Sequence, residues 1–319
     1  MPKSTGFCLI GRLCRHGALP DDARRAKIED DFNTDATNMI EYDTSRLVPT
    51  SFFTPEELRS LHETASEYAL RDLYECPRVF EDRAIEYAYV SARVEGCAYT
   101  KAGAGMLLKF GLTEDRKRFT DAAMLVGLHS AFMHVMNHAR KSDVCTEEYV
   151  KDIHEKIADM QLKADELGAA RRKAVVIKGS EYKPLASPAP LAAELQRLIK
   201  SANSIEDPFE QAAYVHCNLA YLKYFADGNK RTARLMQTAV LVRHGIVPLF
   251  MSVDEIASYL QTVSSYYETG DRRPYAEFFV RSFRHTVDSL LGRAPEQLKA
   301  MAEDERRLQE ARKKRRVQG

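Results

Sequence analysis

Within "AYLKYFADGNKRTARLMQ", Ala220 to Gln237, five residue types able to handle an anion fall inside eight positions. Asp227, Gly228, Asn229, Lys230, Arg231 and Arg234 surround a tight turn, and apolar residues resume behind them at helical spacing. Gly228 can adopt φ > 0 and presents no side chain to an approaching ligand. A helix beginning just after it would direct free N–H groups and the positive end of its dipole at that ligand. Arg231 and Arg234, three apart, reach from one face of the first turn. Asp227 at the lip has the chemistry to hold a Mg²⁺ that bridges phosphate oxygens. The order of residues excludes a P-loop, because the earlier glycine and the G-K-[ST] run are missing. The bland alternative is a capping aspartate with two surface arginines; convergence of so many functional types favours a phosphate site.

The elements that position this turn are helical. "PFEQAAYVHCNLAYLKY" reads as a helix with Asp207 as cap and Pro208 in its first position, burying Phe209, Ala212, Val215, His216 and Leu219. "NKRTARLMQTAVLVRHG" reads as its successor, stopped by Gly245. Further helices are expected from Thr54 onward (Thr54 cap, Pro55, Glu57 capping-box partner) and around 80–95, 118–138, 146–166 and 189–201. In the 146–166 helix, Thr146 is the cap and Tyr149, Ile153, Ile157 and Met160 form the stripe. "RRKAVVIKGSEYKPLASPAP" breaks the pattern: Ala174 to Ile177, a Lys178-Gly179-Ser180 turn, then Tyr182, a β-hairpin ended by prolines. The expected fold class is therefore all-α with one small hairpin. Its segments are a polar stretch at 1–50, with a short charged helix in 19–32, a helical region at 51–115, a core domain at 116–288 and a charged tail at 289–319.

Bulk properties narrow the function classes. The chain has 319 residues, 45% of them hydrophobic, enough for a substantial core. A formal charge of +1 supplies no global field towards nucleic acid or membrane. No apolar run is long enough to span a bilayer, and "MPKSTGFCLIGRLCRHG" is too short and broken for a secretory signal. The six cysteines are scattered without a C-x-x-C pair; Cys8, Cys14 and His16 lie close but lack a fourth ligand. A reduced, cytoplasmic protein is the simplest expectation, although translocation into another cell would leave no mark in these residues. Nucleic-acid binding through Arg312–Arg316 in "ARKKRR" is the weakest class.

The turn resembles the signature of the Fic family, His-Pro-Phe-x-Asp/Glu-Gly-Asn-Gly/Lys-Arg-x-x-Arg, through Phe225, Asp227, Gly228, Asn229, Lys230, Arg231 and Arg234. His216 on the preceding helix, the stretch at 173–184 and "GIVPLFMSVDEIASYLQTVSSYYETGDRRPYAEFF" extend the likeness from about Phe119 to Phe283. The resemblance implies a Fic-type helical core and transfer of AMP from ATP, or use of another nucleotide, onto Ser, Thr or Tyr hydroxyls of a target protein. By the same resemblance, the backbone from Gly228 to Arg231 cradles the α- and β-phosphates. Asp227 holds Mg²⁺, Asn229 steadies an α-phosphate oxygen and Arg234 pairs with the γ-phosphate. Val175, Val176, Ile177, Lys178 and Gly179 would form the flap that clamps the target by strand addition. Whether the chain self-associates stays open.

Two features qualify that picture. The family's general-base histidine corresponds here to Lys223, and its following proline to Tyr224. A lysine at its ordinary pKa of about 10.4 is protonated at neutral pH and accepts no proton. Three readings follow: a degenerate nucleotide-binding protein with Lys223 as an added clamp; altered chemistry with the Lys223 amine as base or nucleophile; or an engineered inactivation. The first is the expectation adopted. The second feature is "YVSARVEGCAY", where Ser91 and Glu95 lie one turn apart before Gly96. Beside a Fic-type core it resembles the family's inhibitory motif, which implies that Glu95 pairs with Arg234 and displaces the γ-phosphate.

Overall fold

Start signals written in the sequence account for most helices of the computed structural model, which describes residues 39–177 and 179–292. In helix α1 (Pro55–Glu67), Thr54 Oγ1 accepts the Glu57 N–H at 3.2 Å while Glu57 accepts the Thr54 N–H at 2.8 Å. This reciprocal box satisfies two otherwise orphaned donors. Helices α2 (Leu70–Glu75), α3 (Pro77–Val94), α4 (Lys101–Phe110) and α5 (Phe119–His138) follow. Thr146 caps α6 (Glu147–Ala158), and Pro188 sits in the first turn of α7 (Pro188–Ala202). Asp207 accepts from the N–H groups of Phe209 and Glu210 to start α8 (Pro208–Leu222). The remaining helices are α9 (Asn229–Arg243), α10 (Ile256–Thr269) and α11 (Arg273–Leu290). The fold class is all-α, as the pattern predicts. The charged stretch at 19–32, Cys8, Cys14, His16, Lys178 and the tail from 293 lie outside the described residues.

Helices α8 and α9 form the centre. Every residue of α8 from Phe209 to Leu222 except Gln211 is buried, so this helix is enclosed on all sides. In α9, buried Ala233, Leu235, Ala239 and Val242 share the helix with buried Arg231, Thr232, Arg234 and Gln237. Such polar groups tolerate burial only when partnered, and their partners define the site below. One hydrophobic core runs from Leu47 through α3, α5, α8, α9 and α11 to Val287.

The segment ahead of α1 is tied to this centre by polar contacts. The buried Glu210 carboxylate accepts the N–H groups of Phe52 at 2.7 Å and Phe53 at 3.1 Å, and also the Ser51 hydroxyl. Arg46 donates to the Tyr266 and Tyr267 carbonyls in the last turn of α10.

Two expectations are corrected. The β-hairpin does not form. Among the described residues the single sheet pairs β1 (Ile40–Glu41) with β2 (Tyr182–Lys183) in parallel, and Ala174 to Ile177 have no strand partner. Tyr182 decides this: its ring stacks on Tyr221 at 4.5 Å and its hydroxyl donates to the Tyr221 carbonyl at 2.9 Å. The second half of the expected hairpin is thereby pinned to α8 and meets Ile40 and Glu41 instead. The turn itself exists, with Ser180 N–H donating to the Ile177 carbonyl and Gly179 at φ +77°.

The helix expected over 146–166 stops at Ala158, leaving Met160 exposed. The chain doubles back so that the Gly168 N–H reaches His154 Nδ1 at 3.1 Å. Gly168 has φ +63°, and a Cβ there would lie 2.5 Å from a Glu155 carboxylate oxygen. The left-handed backbone is what favours glycine here, since the Glu155 carboxylate sits at the end of a flexible side chain and could swing aside.

Candidate active site

The turn between α8 and α9 is built from both ends. Lys223 leaves α8 in the left-handed region (φ 51°, ψ 48°), and Gly228 at φ +75° begins α9. Asn229 bridges the turn with both halves of its amide: Oδ1 accepts the Phe225 N–H at 2.9 Å and Nδ2 donates to the Phe225 carbonyl at 2.8 Å. The side chain expected to steady a phosphate oxygen is therefore committed to shaping the loop. Gly228 N–H donates to Asp227 Oδ1 at 2.6 Å, and Asp227 Oδ2 accepts from Arg231 Nη2 at 3.0 Å. An internal carboxylate thus occupies part of the anion seat.

The arginines are deeply placed. Arg231 is buried, donates from Nη1 to Gln161 Oε1 at 2.8 Å, and leaves its Nε buried without a hydrogen-bond partner among the described residues. An unspent charged donor at the mouth of a helix is an anion-binding feature. Arg234 spends every arm: Nε on Ser91 Oγ at 3.0 Å, Nη2 on the Ser91 carbonyl at 3.0 Å and Glu95 Oε1 at 3.1 Å, and Nη1 on Tyr259 Oη at 3.2 Å. Glu95 also meets Lys230 Nζ at 3.3 Å. Ser91 and Glu95 stand one turn apart at the end of α3, which Gly96 terminates at φ +83°. The structure therefore brings Ser91, Glu95, Lys230 and Arg234 together in one network.

Electrostatics follow from burial and charge. Burial alone would raise the Glu95 pKa, but Arg234, Lys230 and Arg231 together hold it below the usual carboxylate value. A depressed folded-state pKa contributes stability that is fully present above the unfolded value and lost as pH falls through the folded one. The stability advantage of the unaltered chain over Glu95→Gln is expected to shrink as pH drops below about 4.5; urea midpoints of both chains at neutral and acid pH measure it. A constant difference would rule the ion pair out as its source.

Lys223 behaves differently from its neighbours. Its Nζ lies over the Tyr267 ring, 4.9 Å from the centroid, and among the described residues no carboxylate pairs with it. Burial and then the nearby Lys230 charge lower its pKa to about 8, against the opposing pull of Glu95 and Asp227. The Tyr267 hydroxyl is itself buried without a hydrogen-bond partner among the described residues.

Several supporting residues escaped the sequence reading. His154 stacks on Phe225 with ring centroids 3.7 Å apart and planes at 3°. Since Gly168 N–H donates to Nδ1, the proton sits on Nε2 and is donated to the Asp227 carbonyl at 3.1 Å. Burial lowers its pKa to about 4, so the ring is neutral in this role. Tyr259 accepts from Arg234 and shares a hydrogen bond with His216 Nε2 at 3.0 Å, with His216 held neutral by burial. Arg171 donates to the Lys223 carbonyl at 2.6 Å and to Lys173 and Leu185 carbonyls, anchoring the loop of Val175, Val176, Ile177 and Gly179 beside the turn. Val176 in that loop is 86% exposed. The one signal for His154 was a ring interrupting the apolar stripe of Val150, Ile153 and Ile157.

His154→Phe keeps the stack but strands the Gly168 N–H and the Asp227 carbonyl. A loss of about 1–3 kcal/mol in stability is expected, with weaker nucleotide affinity by isothermal calorimetry. An unchanged affinity would show that the turn holds its shape unaided.

Among the described residues no group of three or more His, Cys, Asp or Glu is arranged to hold a metal ion. Asp227 alone, two-thirds exposed, suits an ion such as Mg²⁺ that takes one protein carboxylate plus ligand phosphates. Nor, among the described residues, is any helix long and apolar enough to cross a membrane.

Residues 144–241 match the model of the Fic/DOC family. The protein adenylyltransferase Fic of Nematostella vectensis is 27% identical over 67% of this chain and 50% of its own length. Protein adenylyltransferase fic-1 of Caenorhabditis elegans is 23% identical over 74% of this chain and 47% of its own length. The chain thus spans about half the length of these relatives. Among solved structures, residues 134–508 of C. elegans Fic-1 superpose with a TM-score of 0.62 at 20% identity, covering 74% of this chain and 71% of that one. A Fic family protein from Desulfovibrio desulfuricans G20 superposes at 0.65 with 19% identity, over 77% and 76%. These likenesses establish the fold.

Proposed function

With residues 144–241 forming a Fic/DOC family domain, we propose that this chain binds a nucleoside triphosphate at the turn from Lys223 to Arg234 and is held in a non-productive state by Glu95. ATP is the first candidate, since relatives of this chain are named protein adenylyltransferases. The observation that carries the proposal is the Glu95–Arg234 ion pair at 3.1 Å, closed over a turn rich in helix-start N–H groups and cations.

Each residue has a part in that reading. The N–H groups from Gly228 to Arg231 bind the α- and β-phosphates, as oriented donors at a helix start do for anions. The unspent Nε of Arg231 adds charge there. Asn229 and His154 hold the turn's backbone in shape. Asp227 would release Gly228 and hold Mg²⁺, which neutralises charge on the triphosphate when bound. Arg234 would pair with the γ-phosphate once Glu95 withdraws, a fork-shaped donor exchanging one oxyanion for another. The chain at 174–176, with Ala174 and Val176 exposed and no strand partner among the described residues, offers backbone to a target peptide. AMP transfer to a hydroxyl is impaired, because Lys223 in its charged form cannot take the hydroxyl proton.

Calorimetric titration with ATP and Mg²⁺, comparing the unaltered chain with Glu95→Gly, tests this. Binding is expected in both, tighter in Glu95→Gly because Arg234 is released. Heatless titrations in both chains would refute nucleotide binding.

A further inference from the structure

We propose that Lys223 is itself a nucleotide acceptor: its Nζ attacks the α-phosphorus of a nucleoside triphosphate seated on the Gly228–Arg231 turn, leaving a lysine-linked nucleoside monophosphate. This rests on the nucleotide-binding reading above and adds a chemical step to it.

Of the four cations around the turn, Lys230 and Arg234 pair with Glu95 and Arg231 pairs with Asp227. Of these four, Lys223 alone pairs with no carboxylate among the described residues; an aromatic face lies beneath its amine. A half-buried ammonium that pairs with no carboxylate among the described residues is incompletely solvated, and losing a proton relieves that cost. The charged groups acting on it are Lys230 and Arg171, which favour the free amine, and Glu95 and Asp227, which oppose it. With the pKa at about 8, on the order of one amine in ten is free at neutral pH. Lys230, Glu95 and Asp227 also belong to the seat proposed for the triphosphate, so the amine shares that ligand's surroundings.

The side chain is aimed by its backbone. Lys223 occupies the left-handed region at φ 51°, which few non-glycine residues adopt. Arg171 fixes it there, donating from its side chain to the Lys223 carbonyl at 2.6 Å and from its own N–H to the Tyr224 carbonyl at 2.9 Å. The left-handed residue ends α8 and, with its carbonyl held, sets the direction in which the side chain leaves the helix.

The chemistry closes without a further reagent. A hydroxyl acceptor needs a base because it must lose its proton in the transition state, whereas a free amine attacks with its own lone pair. The nitrogen–phosphorus bond forms, the bond from the α-phosphorus to the bridging oxygen breaks, and pyrophosphate leaves with the electron pair. The amine proton passes to solvent. The product is a phosphoramidate.

The full chain and its Glu95→Gly variant would be incubated with ATP and Mg²⁺, and their intact masses and peptide maps recorded. A gain of one AMP on Lys223, lost in mild acid and retained in alkali as a phosphoramidate is, would establish the step, with at most one pyrophosphate released per chain. The rate should rise with pH and level off above about 8. Lys223→Arg keeps the charge and should bind ATP without gaining mass, but mapping on the unaltered residue does not depend on that variant. ATP bound with no adduct in either chain, or an adduct on hydroxyls alone, would overturn this proposal and leave nucleotide binding standing. No binding in either chain would overturn both.

Discussion

Combining Lys223→His with Glu95→Gly is expected to give a chain that transfers radiolabel from α-³²P-ATP onto protein hydroxyls about 10²–10⁴-fold faster than Glu95→Gly alone. On the function proposed above, two obstacles are removed together. Glu95 occupies a guanidinium arm of Arg234 that a γ-phosphate would need. Lys223, charged in most molecules near neutral pH, offers a hydroxyl no base. Histidine titrates in the range where it can take that proton and return it. The position is well placed for the exchange, since Lys223 already lies at the turn's lip with its carbonyl tied by Arg171. Equal hydroxyl labelling by the double variant and by Glu95→Gly would show that something other than residue 223 limits transfer. Label on hydroxyls in Glu95→Gly alone, at a rate rising through about pH 8, would mean instead that the lysine amine serves as the base.

Arg234→Ala should cost about 3 kcal/mol of stability, the low end of the range for breaking a buried ion pair. The low end applies because Glu95 keeps Lys230 at 3.3 Å and its side chain is 19% exposed. Ser91 Oγ, the Ser91 carbonyl and Tyr259 each lose the same partner. For a chain of 319 residues, at about 2.1 cal/mol/K of unfolding entropy per residue, the melting temperature should fall on the order of 4–5 °C. Glu95→Gln tests the other half of the pair, and its effect should be smaller, since Arg234 retains three of its four contacts. The two variants also part on ligand: Arg234→Ala should lose the γ-phosphate's partner, whereas Glu95→Gln should free it. Differential scanning calorimetry with and without ATP reads both effects. A milder loss for Arg234→Ala than for Glu95→Gln would show that the guanidinium is there for a ligand and contributes little to folding.

How much could be read from the chain alone depended on how far apart the interacting groups are. The caps at Thr54, Thr146 and Asp207 were legible because each cap and its amide lie within three residues. The same holds for the turn at Gly228, where a left-handed residue, a carboxylate and two guanidiniums share a short stretch. The Glu95–Arg234 contact spans 139 residues, and only a resemblance between motifs pointed to it.

Other contacts carried no such cue. The hairpin reading failed because Ile40 and Glu41, far upstream, supplied the strand partner that the local pattern placed at Ala174 to Ile177. His154 lies 73 residues from the carbonyl it holds.

The sequence by itself determined an all-helical chain and a turn with the chemistry to seat an anion, because caps, left-handed glycines and local charge act over a few residues. Only the tertiary structure decided which cations are already spent. Pairing depends on which helices converge, and burial on what lies above them. Position 223 could be read as a lysine in a histidine's place. That its amine lies over Tyr267, half-buried and without a carboxylate among the described residues, follows from the packing of α8 against α10 and from the grip of Arg171.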